Sequence, residues 1–426
     1  MNEQIKQRIA QLNNGEAPEG YKKTVFGVFP CDWVTDKKLK DLGAFGKGKG
    51  LPGDKMVSDG VPCVGYGDIY MKYNHFHFEE AKTFVDEKTA AESQPIQKGT
   101  LLFTGTGETA EEIGKCVCYN GEETIYAGGD IITFVSAEVD PLFLAYQQYQ
   151  EFSLRKKASF GQGHSVVHIQ RDNLEKLNVA FPQSAEEQSR IAEILMKWDE
   201  VIQLNEQLIE QIINRKNIIT HKLLIGDLRL PGFSDEWKEQ ELRNYLEIRA
   251  VQQVPTEEAP LMAFVADVGI VDKGDRYDRS FLVKDDAKKY KRTEMDDFIY
   301  SSNNLDVGSI GLNKYGTAVV SVVYEIFKVK SNAVPIVISE AIQLPRNLNK
   351  VLSYRQGALY GQYKIHAQDF LSVKIKVPSY EEQVEIAKVI CMLDEEIHIR
   401  QEYLDKLQKQ REALQKYLLN GIVRVK

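Results

Sequence analysis

The sequence has few of the residues that make covalent cross-links or metal sites. It contains five cysteines and seven histidines in 426 residues, and no two cysteines form a C-x-x-C pair. Cys116 and Cys118 lie too close together for a disulfide framework and lack further zinc-like partners. His75 and His77 alternate as on a strand, without a nearby cluster of cysteines or carboxylates. We therefore expect no metal ion in this chain and a reducing, cytoplasmic environment.

Long apolar runs are also missing from the sequence. No segment approaches the roughly 18 apolar residues that a membrane span requires, and residues 1–12 are too polar for a signal peptide. The chain carries a net charge of −8, so the molecule as a whole does not attract nucleic acid. Any site for a polyanion must therefore be a local basic patch.

The motifs of common active sites are absent as well. There is no G-x-S-x-G, and no two prolines are adjacent, which excludes the [DN]-P-P-[YF] motif of amino-methyltransferases. The glycine-rich segments 46–50 and 107–115 miss the spacing of a phosphate-binding P-loop. We therefore expect that this chain has no catalytic residues and binds no cofactor of its own.

What the sequence does contain is an internal repeat of two long helical segments. The first runs from Ser184 to Gly226 without an intervening glycine or proline, and the second repeats the pattern 195 residues later, from Ser379 to Gly421. Each opens with the S-x-x-E spacing of a capping box. Apolar residues then recur at alternating steps of three and four, the period of a helix with one apolar seam. These seam residues are Ile191, Leu195, Trp198, Ile202, Ile209, Ile212, Ile219 and Leu223, then Ile386, Ile390, Leu393, Ile397, Leu404, Leu407, Leu414 and Leu418.

The two seams predict that the long helices pair with each other. Each helix has roughly 40 residues and extends about 60 Å. Burying each large apolar side chain is worth roughly 1.5–3 kcal/mol, and the nearest partner for one seam is the other. Two polar residues interrupt each seam at matching places, Asn205 and Lys216 in the first and Arg400 and Arg411 in the second. We expect an antiparallel coiled coil with a pseudo-twofold axis, although the sequence also permits a parallel pair.

A mixed α/β domain precedes each long helix, so the fold class is α+β. Short β-rich runs separated by Gly, Asn and Asp predict the strands, and Asp140-Pro141 predicts the start of a helix. The expected order is an N-terminal helix and loop (1–20), a first domain (21–182), a long helix (183–226), a second domain (227–377) and a second long helix (378–426). Predicted elements include strands 61–64, 101–104, 116–119, 131–135, 262–265, 298–301, 317–323 and 326–329, and a helix over 348–359.

Clusters of polar and aromatic residues recur in the loops of both domains. Arg and Lys recognise guanine, Asn and Gln recognise adenine, and Ser and Tyr bind phosphate oxygens. Within 284–292 the balance is locally basic, with five Lys or Arg against two Asp. Solvated surface is the alternative for any one of these residues, but their recurrence favours a bipartite reader of nucleic acid. The candidate DNA-binding residues are Lys47, Lys49, Tyr66, Tyr70, Lys72, Gln162, His164, Ser165, Arg276, Tyr277, Arg279, Ser302, Asn303, Asn304, Gln362, Tyr363 and Lys364.

This layout resembles the specificity (S) subunits of type I restriction-modification systems over nearly the whole chain. The order and duplication of three features carry the resemblance. They are Pro30-x-x-Trp33 with Leu39, echoed by Trp237 with Leu242; a glycine-rich loop before Ile169 and Asp172, echoed by Gly361, Ile365 and Asp369; and a Pro-x(2–3)-E-E-Q-x-x-I-A motif from Pro182 and again from Pro378.

The resemblance implies two target-recognition domains that each read one half of a split double-stranded DNA target, joined by an antiparallel coiled coil. It implies that two methyltransferase (M) subunits dock on the helices and that restriction (R) subunits join for cleavage. S-adenosylmethionine would then belong to M, and ATP and Mg to R. The domains differ in sequence between Val251 and Ala341, which implies two different half-sites.

A second reading from another class stays open. The chain would be a non-catalytic scaffold with two protein- or ligand-binding domains on a coiled coil, and the acidic pI of 5.6 supports it. The third hypothesis is a standalone enzyme that uses one mixed domain. The absence of the common active-site motifs argues against it.

Overall fold

The computed structural model of the chain divides into two compact units. The first unit comprises Met1–Glu206 and Tyr403–Lys426, and the second comprises Gln207–Glu402. Each unit contains one mixed domain of helices and sheets and a part of each long helix. The structure describes residues 3–51, 53–73, 76–163, 165–265, 268–272, 288–303, 305, 310–359 and 362–425.

The helices are labelled here in chain order. Two of them, α7 and α11, have 41 and 40 residues. Among the described residues, the α-helices are α1 Glu3–Asn13, α2 Tyr66–Met71, α3 Glu87–Ala91, α4 Pro141–Gln147, α5 Glu151–Phe160, α6 Arg171–Leu174, α7 Ala185–Ile225, α8 Pro335–Gln343, α9 Pro345–Leu352, α10 Ala367–Ser372 and α11 Tyr380–Leu419.

The sheets of the first unit are mainly antiparallel. A five-stranded sheet has the order Gly43–Lys47, Ile131–Ser136, Thr100–Thr104, Cys116–Tyr119 and His77–Phe78, and a second has the order Met56–Val57, Thr83–Val85, Val61–Val64, Ile125–Ala127 and Gln94–Ile96. Two-stranded pairs join Tyr21–Thr24 to Gly27–Pro30, Thr106–Gly107 to Val167–His168, and Trp33–Val34 to Phe181–Pro182.

The described strands of the second unit form smaller sheets. The four-stranded sheet has the order Leu246–Ile248, Tyr324–Val329, Phe298–Ser301 and Ile310–Leu312, and the three-stranded sheet has the order Gln252–Gln253, Tyr290–Thr293 and Ala318–Val320. Two-stranded pairs join Met262–Val265 to Gly269–Asp272, Glu239–Glu241 to Lys374–Lys376, and Gln356–Leu359 to Gln362–Lys364.

Several predicted elements are confirmed, and one is wrong. The strands at 61–64, 116–119, 262–265 and 298–301 have the predicted bounds, and both long helices lie where their periodicity placed them. The helix predicted over 348–359 instead ends at Leu352, and Gln356–Leu359 is a strand. Pro345 is pre-organised for the first helical turn and starts this helix earlier than predicted, while Gly357 is a poor residue for continuing it.

The core of each unit is shared between its domain and both long helices. In the first unit, Ile191 and Leu195 of α7 and Leu418 of α11 are buried with Trp33, Phe143 and other domain residues. In the second unit, Leu223 of α7 and Ile386 of α11 are buried with Phe298 and Phe370. Because the same apolar cluster contains residues from three segments, each domain and its parts of the long helices form one packed body.

Serine caps the start of each long helix as predicted, but the glutamate of the motif has another partner. Ser184 Oγ accepts a hydrogen bond from Glu187 N at 3.3 Å, and Ser379 Oγ accepts from Glu382 N at the same distance. The Glu187 carboxylate binds Arg424 and the Glu382 carboxylate binds Arg229. The S-x-x-E pattern therefore marks the helix start correctly while its acidic residue binds a distant arginine.

Two further observations concern the whole of the described chain. Within those residues, no helix is both long enough and apolar enough to cross a membrane. All five cysteines are free thiols; Cys31 and Cys391 are exposed, and Cys63, Cys116 and Cys118 are buried.

Candidate nucleic-acid interface

In the first unit, the end of a central strand is joined by a segment that lies about 60 residues later in the sequence. The strand Thr100–Thr104 continues into Gly105, whose carbonyl accepts a hydrogen bond from Ile169 N at 3.0 Å. Next to it, Thr106 pairs with His168, and Gln162 and His168 exchange backbone hydrogen bonds of 3.0 and 2.8 Å. This pairing brings the candidate Gln162 beside the strand end together with His168, a residue outside the predicted set.

Tyr70 reaches the same strand end from helix α2. Its hydroxyl lies 2.8 Å from Thr104 Oγ1 and donates to Thr106 O at 3.2 Å. Burial raises the pKa of Tyr70, so the phenol remains a hydrogen-bond donor. The Lys115 ammonium lies 5.7 Å from the centre of the Tyr70 ring, and burial lowers the pKa of that lysine. Tyr70, Gln162, His168 and Lys115 therefore surround one strand end, which we call the first strand-end surface together with Thr106.

Lys47, the last residue of the edge strand Gly43–Lys47, and Lys49, two residues later, are both exposed. Lys47 pairs with Ile132, and Thr104 pairs with Ile131 on the other side of that strand. Strands in a sheet lie about 4.8 Å apart, so Lys47 and Thr104 are roughly 10 Å apart at the same end of the sheet. The two lysines therefore add positive charge near the first strand-end surface.

Gly48, between these lysines, can be replaced by no other residue without movement of the backbone. A Cβ atom on Gly48 would lie 1.8 Å from the carbonyl oxygen of Gly128, much closer than any van der Waals contact. The glycine therefore lets the lysine loop lie directly on the neighbouring loop.

The other candidates of the first unit differ in their surroundings. Tyr66 is 43% exposed at the start of α2, and Ser165 is exposed. Lys72 forms an ion pair with Asp68 at 2.8 Å and donates to Thr83 Oγ1 at 2.6 Å, so its charge is already neutralised within the fold. His164 lies outside the described residues.

The second unit has the same arrangement at the end of its central strand. After Phe298–Ser301, the carbonyl of Ser302 accepts a hydrogen bond from Ile365 N at 3.0 Å, as Gly105 does from Ile169. Asn303 is bridged to Lys364, in the place where Thr106 pairs with His168. Distant segments thus meet at corresponding strand ends in both units.

Aromatic and basic side chains accompany this second meeting point. Tyr363 is 46% exposed, and the Arg355 guanidinium lies 5.7 Å from the centre of its ring. We call Asn303, Tyr363, Lys364 and Arg355 the second strand-end surface. Arg355 was not among the sequence candidates, because only the pairing of 356–359 with 362–364 brings it there.

The remaining candidates of the second unit fall into two groups. Ser302 is only 3% exposed and donates its hydroxyl hydrogen to Val323 O at 2.8 Å, so this side chain serves the fold. Gln362 lies in the strand Gln362–Lys364. Arg276, Tyr277, Arg279 and Asn304 lie outside the described residues, as do Lys284, Asp285 and Asp286 of the basic run.

The predicted seam residues are all buried or half-buried. Ile191, Leu195, Ile386 and Ile390 are at most 1% exposed. Of the polar residues in the seams, Arg411 is 5% exposed, Lys216 and Asn205 are half-buried, and Arg400 is exposed.

Charged residues of α7 and α11 contact each other within each unit. In the first unit, Asp199 pairs with Arg411 at 2.8 Å. In the second unit, Arg215 pairs with Glu396 at 2.6 Å, and Lys216 pairs with Asp394. Charged side chains of the two long helices therefore pair in both units.

Metal chemistry finds no support among the described side chains. Within that part of the chain, no group of three or more His, Cys, Asp or Glu residues is placed to hold a metal ion. The two strand-end surfaces instead combine amides, hydroxyls, aromatic rings and cations. These groups recognise base edges and phosphates.

Comparisons with known proteins define the class. The family model described as "Type I restriction modification DNA specificity domain" matches residues 30–214 and 235–409. The chain therefore belongs to the family of type I restriction-modification specificity proteins. Members of this family recognise DNA targets and are not catalytic, because the catalytic activities lie in other subunits.

Individual relatives agree with this assignment along almost the full length. A protein of Methanocaldococcus jannaschii described as a type I restriction enzyme MjaX specificity subunit is 24% identical over 96% of this chain and 97% of its own. The crystal structure of a type I restriction-modification S subunit from M. genitalium is similar in fold, with a TM-score of 0.54, 17% identity, and coverage of 91% of this chain and 96% of that one. A chain from a study of type I R-M complex assembly has a TM-score of 0.55 and 11% identity, and covers 96% of this chain and 100% of its own.

Proposed function

We propose that this chain reads a bipartite DNA target, with residues 21–182 recognising one half-site and residues 227–377 the other. The observation that carries the proposal is the recurrence of one arrangement with different side chains. The first strand-end surface presents Thr106, Gln162 and His168, and the second presents Asn303 and Lys364. Thr106 and His168 of the first surface are replaced by Asn303 and Lys364 in the second. Because an amide pairs best with adenine and a lysine with guanine, this exchange of side chains makes the two surfaces select different half-sites.

The long helices are proposed to form an antiparallel coiled coil with a pseudo-twofold axis. A shift of 195 residues converts Asp199 and Arg411 into Asp394 and Lys216 with the roles of the two helices exchanged, and both pairs are in contact. The same shift and exchange convert the pair of Glu187 and Arg424 into that of Glu382 and Arg229. Two independent contacts that repeat in this way support an internal dyad.

This coiled coil is proposed to set the distance between the half-sites. Helix α7 has 41 residues, which corresponds to a length of about 60 Å. That is less than two turns of B-DNA at roughly 34 Å per turn, so both domains can read the same side of the duplex with an unread spacer between the half-sites.

The outer faces of the long helices are proposed to bind two methyltransferase subunits. Leu204 of α7 and Ile399 of α11 are 63% and 56% exposed and lie 195 residues apart. Each helix therefore presents an exposed apolar side chain at an equivalent place, which fits one partner per repeat.

The remaining chemistry is assigned to those partners. The methyltransferase subunits supply S-adenosylmethionine and transfer the methyl group to adenine. Restriction subunits, with ATP and Mg, join the complex for cleavage. The present chain contributes the choice of DNA sequence.

The test is co-expression with the methyltransferase gene that is expected to adjoin this gene, followed by methylome sequencing. The expected result is a split adenine-methylated motif that disappears when this chain is deleted. Replacing 227–377 by the corresponding domain of a relative should change one half of the motif and leave the other half intact. A methylome that does not respond to the deletion would refute the proposal and favour the scaffold reading.

A further inference from the structure

In the first unit, one buried carboxylate connects the mixed domain to both long helices. Tyr146 of α4 donates from its hydroxyl to Asp199 Oδ2 of α7 at 2.6 Å. Arg411 of α11 donates from Nε to Asp199 Oδ1 at 2.8 Å. Tyr146, Asp199 and Arg411 are 0%, 3% and 5% exposed. The helix of the domain and the two long helices therefore meet at a single, water-excluded point.

The domain also contacts Arg411 from a second direction. The ring of Phe76 lies 4.1 Å from the guanidinium carbon, a cation–π contact, and 5.1 Å from the ring of Tyr146. Gln415 of α11 donates to Tyr146 O at 3.3 Å. Burial raises the pKa of Tyr146, so its hydroxyl keeps the proton that it donates. The cluster is thus a junction between the domain and the helices as well as a contact between helices.

The second unit has an equivalent ion pair made of different residues. Lys216 and Asp394 form the pair that matches Arg411 and Asp199. The side chains of Lys216 and Asp394 are 19% and 34% exposed, whereas those of Arg411 and Asp199 are 7% and 4% exposed. The pair of the first unit is therefore the more deeply buried of the two.

The cluster at Asp199 differs physically from the apolar seam around it. Apolar contacts are not directional, so the seam alone permits small rotations of a domain on its helices. A buried hydrogen-bond network is satisfied in one geometry only, since each donor must point at its acceptor. The junction at Asp199 therefore restricts the angle at which the first domain sits on the helices of its own unit.

We infer that Tyr146 is a positioning residue that fixes the orientation of the first domain on the long helices of its unit and thereby the spacer length that the protein accepts. It contacts no DNA in this role, and half-site preference remains with the strand-end surfaces. The inference rests on the proposed bipartite recognition.

The deciding variant is Tyr146→Phe in the full chain, in complex with the methyltransferase subunit. It keeps the ring, its contact with Phe76 and the Asp199–Arg411 pair, and removes only the hydrogen bond from the domain to Asp199. Methylation is measured on duplexes with the native half-sites and spacers that are native, one base pair shorter or one base pair longer. A hydrogen bond to a charged group corresponds to roughly a tenfold factor, so preference for the native spacer should fall by about tenfold. Preference for the native half-site bases should stay unchanged.

Matched controls separate positioning from general damage. Tyr380→Phe removes a hydroxyl from a residue that is 45% exposed at the start of α11 and should leave spacer preference as in the wild type. Arg411→Lys replaces the Arg–Asp pair with a Lys–Asp pair like that of the second unit and should retain the preference for the native spacer. Arg411→Met removes the pair and should make the protein accept a wider range of spacers. If Arg411→Met does not fold, Tyr146→Phe still decides.

The outcomes are distinct. An unchanged spacer preference in Tyr146→Phe overturns the inference alone, and so does a loss of half-site preference, since Tyr146 would then act on reading itself. A wild-type complex that methylates no split target overturns the proposed function, and this inference with it.

Discussion

Arg424 forms a bidentate ion pair with Glu187, with Nε 2.5 Å from Oε1 and Nη2 2.8 Å from Oε2. The contact joins the residues after α11 to the first turn of α7, and Glu187 is only 5% exposed. The same guanidinium binds Asp32 at 2.9 and 3.0 Å and lowers the pKa of that carboxyl. Arg424 thereby links the segment after α11 to the start of α7 in the first unit. In the second unit, Arg229 links the segment after α7 to Glu382 at the start of α11, at 2.8 and 3.0 Å.

The first prediction follows from this pair. Arg424→Met should destabilise the first unit by about 3 kcal/mol, because it leaves the Glu187 carboxylate buried without its cation. Amide hydrogen exchange resolved along the chain is the suitable measurement, since two units need not unfold together. Protection should fall around residues 185–195 and 415–423 and remain unchanged in the second unit.

The variant Arg229→Met provides the mirror experiment and should affect only the second unit. Lys388→Met is the control, because its ion pair with Glu385 is 61% and 45% exposed and such pairs contribute roughly 0–1 kcal/mol. Equal effects of Lys388→Met and Arg424→Met would show that burial is not the cause.

The second prediction concerns pH and Lys157. This lysine is 1% exposed and donates to Gly114 O at 2.8 Å, and burial lowers its pKa from 10.5 to about 8. Between about pH 8 and 10.5 the unfolded chain therefore binds more protons than the folded chain. The contribution of Lys157 to the free energy of unfolding of the first unit should therefore rise through this window, by up to about 1.4 kcal/mol per pH unit.

The measurement is the difference between the wild type and Lys157→Met, which cancels groups common to both. Burial raises the pKa of Cys116 to about 12, so this thiol keeps its proton in the folded chain across the window, and its titration in the unfolded chain is common to both proteins. A difference that stays flat from pH 8 to 10.5 would contradict the assignment of a lowered pKa to Lys157.

The sequence predicts those features whose signals lie within one short segment, and it predicts less well those that depend on contacts between distant segments. The long helices were predictable because their signals are local. Ser184 and Gly226 mark the ends of the first helix, and apolar seam residues recur every three or four positions along each helix. The strand-end surfaces were only half predictable, since His168 joins Tyr70 through pairing between strands more than 60 residues apart. The sequence predicted Ser302 as a DNA-binding residue, but tertiary packing buries its side chain.

The junction at Asp199 shows the same limit. Arg411 stood out in the sequence as a cation inside an apolar seam. Asp199, its partner, sits one residue after the seam position Trp198 and carries no signal by itself. Only the contact between the two long helices within the first unit identifies Asp199 as the partner of Arg411.

The third prediction separates contacts that position DNA from contacts that read it. Asn303→Ala should cost about 1–3 kcal/mol at one base position of one half-site and leave other positions unchanged. Lys47→Ala should instead weaken binding to all sequences alike and reduce the slope of log K against log salt by about 1. Binding titrations of the full complex at several salt concentrations, on a set of single-base variants, measure both effects. If Lys47→Ala weakened binding at one base position only, Lys47 would contact a base and not the phosphate backbone, contrary to the prediction.

The fourth prediction tests the long helices as a ruler. Inserting four residues, about one helical turn, into α7 and into α11 should lengthen the helix pair by about 6 Å and so lengthen the accepted spacer by roughly two base pairs. The insertions belong after Glu206 in α7 and after Gln401 in α11, which are 195 residues apart and exposed. Methylome sequencing should return the original half-sites with a longer spacer, because neither strand-end surface changes. An insertion in one helix alone should disrupt the pairing of the seams and abolish methylation, whereas an unchanged spacer with both insertions would exclude the ruler.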